Sequence, residues 1–117
     1  MQNVEFKTQY TFETRVEEAR RIITKHPDRR PVICEKSKNT DLPAIDKKKY
    51  LVPYDLSIAQ FMYFVRKRMS LKPEESLFLF INGKIMSSNM SIGKVYDLEK
   101  DKDGFLYVLY TKENAFG

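Results

Sequence analysis

Cysteine and histidine are nearly absent from this chain: its 117 residues hold one of each, Cys34 and His26. A single cysteine excludes an intrachain disulfide, and the expected setting is reducing and intracellular. No cluster of Cys and His can hold zinc. Long apolar runs are missing too. "FMYFV" and "LFLFI" have five residues each, against the roughly 20 that a membrane helix needs. The opening "MQNVEFKTQY" has no apolar signal core. A chain of this kind would meet a membrane from outside. There is no phosphate-binding glycine loop, no internal repeat and no low-complexity stretch.

What remains is the composition of a folded domain. A hydrophobic content of 42%, with 13% aromatic, supplies a core and argues against disorder. The length suits one domain, which buries roughly two-thirds of its unfolded surface without staples. The formal charge of +5 is unevenly placed. Residues 1–72 carry 16 Lys+Arg against 9 Asp+Glu, and residues 73–117 carry 5 against 7. A basic surface built by the first two-thirds fits an acidic partner: nucleic acid, anionic lipid or an acidic peptide.

Periodicity and punctuation give the elements. Residues 3–9 read as a short helical turn. Thr11 is the N-cap of a helix with Phe12, Val16, Ala19 and Ile23 on one face, ended by His26-Pro27. "PVICE" (31–35) and "KYLVP" (49–53) read as strands separated by a polar loop, the second stopped by Pro53. Ser57 and Gln60 form a capping box, and Leu56 and Phe61 a hydrophobic staple. Ile58, Phe61, Met62, Val65 and Met69 then follow at helical spacing, leaving Phe64 off the stripe. "LFLFI" (77–81) is a buried strand, "NG" (82–83) a tight turn, Ser91 the start of a short helix, and "FLYVLY" (105–110) the last strand. The expected class is α+β: a mixed sheet around one main helix, preceded by an extra helical segment.

Catalysis finds little support. Cys34 lies in an apolar strand, where a thiol is buried and inert rather than activated. "EKDKDG" (99–104) has acids at calcium-loop spacing, but Tyr110 stands where a bidentate Glu is required; it reads as a turn. The basic clusters "DRR" (28–30), "KKKY" (47–50) and "RKR" (66–68) permit phosphate contacts, yet no nucleic-acid motif accompanies them. Peptide binding fits better, because strand 49–53 can lie at a sheet edge and accept an extended ligand as one more strand.

Five stretches, "RRPVICEK" (29–36), "IDKKKYLVPYDLS" (45–57), "QFMYFVRKRM" (60–69), "KDKDGFLYVLY" (100–110) and "ENAFG" (113–117), together resemble the autophagy ubiquitin-like modifiers, the GABARAP-type family that includes its yeast founding member. The similarity covers nearly the whole chain. It implies a ubiquitin-like β-grasp core (27–111) after two added N-terminal helices (1–26), with a C-terminal conjugation tail (112–117). It implies a modifier rather than an enzyme, with no cofactor and no metal. The carboxylate of Gly117 would be activated, passed as a thioester to a conjugating enzyme, and joined to phosphatidylethanolamine. A processing and deconjugating cysteine protease is a further implied partner. Localisation would be cytoplasmic, and on autophagosomes and related membranes when lipidated.

The resemblance also implies capture of cargo receptors and adaptors bearing an aromatic-x-x-aliphatic motif with acidic neighbours. Matched residue by residue, Glu18, Ile22, Pro31, Ile33, Lys49, Leu51 and Phe105 would line an aromatic pocket. Tyr50, Val52, Pro53, Leu56, Phe61 and Phe64 would line an aliphatic one. Lys49–Val52 would pair with the ligand backbone, and Arg29, Lys47, Lys49 and Arg68 would meet its acids. A second surface would map to Phe78 and Phe80. Pattern alone assigns Phe61 and Val52 to the core. Thr11 stands where relatives commonly carry proline, which implies a looser junction between the N-terminal helices. The alternatives are an adaptor that binds the same motifs without conjugation, and a basic nucleic-acid binder, the latter disfavoured.

Overall fold

The computed structural model describes residues 4–112. Among these, helices α1 (Glu5–Gln9) and α2 (Phe12–Lys25) precede β1 (Arg29–Lys36) and β2 (Lys49–Pro53). Helix α3 (Ile58–Met69), β3 (Phe78–Ile81), β4 (Lys84–Ile85), α4 (Ile92–Glu99) and β5 (Leu106–Thr111) follow. The strands form one mixed sheet in the order β2-β1-β5-β3-β4, with β1 and β5 parallel at its centre. The class expected from the sequence is the one found. The two-residue β4 has no counterpart in the sequence reading, since only the turn before it leaves a signal. Asn82 and Gly83 both take positive φ, 52° and 75°, as a tight hairpin turn requires.

The alternation of side chains along the strands divides the interior in two. On one face Val32, Cys34, Val52, Leu106, Val108 and Tyr110 meet Ile58, Phe61, Val65 and Met69 of α3 and Ile92 and Val95 of α4. On the other, Ile33 and Phe105 meet Phe6 of α1 and Ala19 of α2. Helix α3 follows its sequence signals closely. The Ser57 side chain accepts from the Gln60 N–H, the Gln60 side chain reaches back to the Ser57 N–H, and Ile58, Phe61, Val65 and Met69 of the stripe are buried, with Met62 partly so. Replacing Ser57 with Ala removes one side of that box. It is expected to cost about 1 kcal/mol and to lower the melting temperature by about 4 °C, measurable by calorimetry.

Helix α2 departs from its expected face. Phe12 is exposed, and Arg15 takes the inward position with Ala19. A periodicity argument ranks arginine as outward, but this one meets a buried acid. Arg15 Nη1 donates to Asp103 at 2.6 Å, and Asp103 also accepts from the Phe105 N–H and the Tyr107 hydroxyl. The segment that resembled a calcium loop is therefore the turn leading into β5, with Asp103 held by Arg15 and Asp101 by Lys7. Thr11 caps α2 by accepting from the Thr14 N–H. Glu35, buried on β1, accepts from the Glu5 and Phe6 N–H groups and fixes α1 against the sheet.

Candidate functional site

Strand β2 is an edge strand. Its register decides which backbone groups face outward. The Cys34 N–H donates to the Lys48 carbonyl and the Tyr54 N–H to the Asp28 carbonyl. In an antiparallel ladder, hydrogen-bonded pairs alternate with non-bonded ones. Residues 48, 50, 52 and 54 therefore bond inward to β1, while Lys49, Leu51 and Pro53 turn their backbone groups away from the sheet. Pro53 has no N–H, so the open ladder consists of Lys49 and Leu51. Arg29 Nη1 donates to the Leu51 carbonyl at 3.2 Å, which places a cation at this edge.

The two side-chain rows of β2 point to opposite faces. Lys49 and Leu51 lie on the α2 face, where Lys49 forms an ion pair with Glu18 across the gap between β2 and α2. Ile22 is partly buried there, and Pro31, Ile33 and Phe105 are buried beneath. Ile33 and Phe105, each 0% exposed, form the floor of this side. On the α3 face Tyr50 meets Phe61 edge-on, with ring centroids 5.7 Å apart. Phe61 and Val52 are deep in the main core, at 1% and 3% exposure, in agreement with the pattern reading; they act as supports. Tyr50 and Leu56 are half-buried, and Phe64, 51% exposed, offers the open apolar surface; Pro53, expected with them, falls by strand alternation in the row of Lys49 and Leu51. The Tyr50 hydroxyl is buried without a hydrogen-bond partner among the described residues, and burial pushes its pKa up to about 12.

The basic residues expected around this edge are unequally available. Lys49 is paired with Glu18, and Arg68 with Asp46 at 2.7 Å. Lys47 lies over the Tyr50 ring. An incoming acid therefore meets Arg29 and Lys47 more readily than the other two. Phe78, of the second surface, is partly buried, and Phe80 is buried. Cys34 is fully buried, and desolvation pushes its thiol pKa up, which leaves no thiolate for nucleophilic work. Gly117 and Phe116 lie outside the described residues. No described helix is long and apolar enough to cross a membrane.

Comparison with known proteins agrees with this architecture over nearly all of the chain. The family model described as "Autophagy protein Atg8 ubiquitin like" matches residues 14–117. Autophagy-related protein 8 of Mycosarcoma maydis is 52% identical over 112 residues, covering 96% of this chain and 95% of that protein. Its counterpart in Scheffersomyces stipitis is 51% identical over 113 residues, covering 97% and 81%. A crystal structure of Trypanosoma brucei ATG8 superposes with a TM-score of 0.92 at 40% identity, covering 99% of this chain and 100% of that one. The fold is ubiquitin-like, and the chain belongs to the Atg8 family of ubiquitin-like autophagy proteins.

Proposed function

We infer that this ubiquitin-like autophagy protein captures extended peptides along β2 and is itself carried to membranes by conjugation of Gly117 to phosphatidylethanolamine. The observation that supports capture is the open edge at Lys49 and Leu51, flanked by different chemistry on its two faces. In an extended ligand, side chains three residues apart point to opposite faces. An aromatic-x-x-aliphatic motif thus sends its aromatic toward Leu51, Ile22 and the Lys49–Glu18 pair, and its aliphatic toward Tyr50, Leu56 and Phe64. The first set meets β2 at Lys49 and Leu51, whereas the second reaches past the end of the strand to Leu56. The ligand accordingly runs parallel to β2, as a strand added to the sheet.

Conjugation would proceed by acyl transfer. The Gly117 carboxylate attacks the α-phosphate of ATP and expels pyrophosphate. A thiol of the activating enzyme displaces AMP from the acyl adenylate. A thiol of the conjugating enzyme then takes the acyl group, and the phosphatidylethanolamine amine attacks that thioester to give an amide and the free thiol. A processing cysteine protease, these two enzymes and motif-bearing cargo receptors are the partners this reading requires.

The test of capture is titration calorimetry with a synthetic Trp-x-x-Leu peptide carrying acidic flanks. The double change Tyr50→Ala, Leu51→Ala removes one wall from each side and is expected to weaken binding by about 10- to 100-fold, since anchor-lining apolar residues dominate such interfaces. Circular dichroism of the variant establishes that it folds. Unchanged affinity in a folded variant would overturn the assignment, as would tighter, salt-dependent binding of an oligonucleotide.

A further inference from the structure

Beyond the two pockets, past the end of β2, one arginine is held differently from the other cations. Arg30 lies between two tyrosine rings, 5.5 Å from the Tyr54 centroid and 5.6 Å from that of Tyr96. Its Nη1 donates to the Pro27 and Arg29 carbonyls. Its other N–H groups meet no acceptor, and no carboxylate pairs with it, among the described residues. We propose that Arg30, seated between Tyr54 and Tyr96, reads an acidic side chain two residues beyond the aliphatic anchor of the docked peptide. This rests on the peptide-capture reading and adds a specificity position to it.

The placement follows from register. Arg30 is the cross-strand partner of Val52, so its side chain shares the face that receives the aliphatic anchor. A parallel ligand advances about 6.6 Å in two residues and returns to the same face. That step carries it from Val52 to the level of Tyr54, which is 52% exposed. The intervening residue points to the opposite face. Lys100 lies over the other tyrosine of the pair at 5.5 Å, adding positive charge. Burial raises the pKa of the Tyr96 hydroxyl, Arg30 opposes that rise, and the carboxylates of Asp103 and Asp97 add to it.

The seat is rigid. The Tyr54 and Leu56 carbonyls accept from the Gly93 and Ile92 N–H groups at 2.8 and 2.7 Å, tying the first turn of α4 to the turn after β2. A Cβ at Gly93 would stand 2.1 Å from Tyr54 Cδ2, so only glycine lets the ring lie where Arg30 stacks on it. A guanidinium fixed between rings loses little freedom when it pairs with a carboxylate, and its planar fork suits that partner.

The experiment is a binding cycle on the full chain. Trp-x-x-Leu peptides carry Glu or Gln either one or two residues after the leucine, and affinities are measured by calorimetry for wild type, Arg30→Met and Tyr54→Ala. For wild type, Glu at the second position is expected to bind about two- to fivefold more tightly than Gln. That ratio should fall to near one in both variants, while the ratio at the first position stays as in wild type. Met keeps an apolar stem between the rings; should Arg30→Met not fold, Tyr54→Ala carries the test. Tight binding with the same Glu/Gln ratio in wild type and a folded variant would overturn the subsite alone. Failure of every peptide to bind wild type would instead overturn the docking surface, and the subsite with it.

Discussion

Gly117→Ala abolishes lipid conjugation in a reaction containing ATP, the activating and conjugating enzymes of the Atg8 pathway and liposomes bearing phosphatidylethanolamine. That is the expected result, and it follows from acyl-transfer chemistry. The same carbonyl carbon must be presented to three attacking groups in turn: the activating thiol, the conjugating thiol and the lipid amine. Each attack needs an approach of about 3–3.5 Å, and a displacement of about 1 Å costs roughly 100-fold. A Cβ beside the carbonyl narrows the backbone conformations open to the terminus, which glycine alone leaves free, and it must be accommodated at every step. Penalties multiply across successive steps, so even modest misfit at each removes the product. The readout is the mass of the C-terminal peptide. Wild type should gain the mass of the lipid, and the variant should not. Peptide affinity at β2 should stay within about twofold, as for distant, independent sites. A lipid adduct on the Ala variant at a rate near that of wild type would refute the role given to Gly117. On the proposed conjugation the membrane consequence would be large, because two acyl chains would be attached at once. Each buried methylene contributes about 0.8 kcal/mol, and a single chain holds a protein only marginally.

The parts legible in the sequence were those with local causes. The capping box at Ser57, the stripe from Ile58 to Met69, the Asn82-Gly83 turn and the stop at Pro53 each depend on neighbours within a few residues, and each is present. The sequence permits an edge position for β2 without fixing it, because it shows a strand but not its neighbours; the strand order puts β2 at the edge. What escaped were contacts between residues far apart in the chain. Arg15 finds Asp103 across 88 positions and Glu5 finds Glu35 across 30. No periodicity marks a buried arginine, because the acid that makes burial tolerable is elsewhere. Arg30 was visible only as one member of the "DRR" cluster. Its distinctive seat depends on Tyr54 and Tyr96, and on a glycine in α4. The pocket residues divided in the same way. Phe64 lies off the helical stripe in the sequence, and in the fold it is exposed. The deep positions of Ile33 and Phe105 depend on α1 and α2 covering that face.

The largest loss of stability is expected from Asp103→Ala. Asp103 is 1% exposed and Arg15 8%, and their ion pair joins α2 to the start of β5. Removing the acid leaves a guanidinium that remains charged and buried, with the Tyr107 hydroxyl and the Phe105 N–H deprived of their acceptor. Breaking one side of a buried pair costs about 3–5 kcal/mol, a large share of the roughly 5–15 kcal/mol that holds a domain together. Asp103→Asn, which keeps one acceptor oxygen and so satisfies part of this set, should lose less. Burial first, and then the hydrogen bond to Asp103, hold the Tyr107 phenol protonated well above its ordinary range. A group whose pKa is raised on folding contributes stability that is complete below its unfolded value, about 10 for tyrosine, and is lost as pH rises through its folded value. Wild type should therefore lose stability as pH climbs above about 10, and Asp103→Asn should show a weaker dependence there, because part of the shift leaves with the carboxylate. Denaturant titrations across alkaline pH measure both effects. The functional consequence runs through α2, which carries Glu18 and Ile22 to the Lys49–Leu51 side of β2. If the network positions that helix, a folded Asp103→Asn chain binds the Trp-x-x-Leu peptide more weakly than wild type, whereas the Glu/Gln ratio governed by Arg30 is unchanged. Equal stability of wild type and Asp103→Ala would show that Arg15 finds water or another partner, and α2 would then owe its place to Ala19 and Ile22 alone.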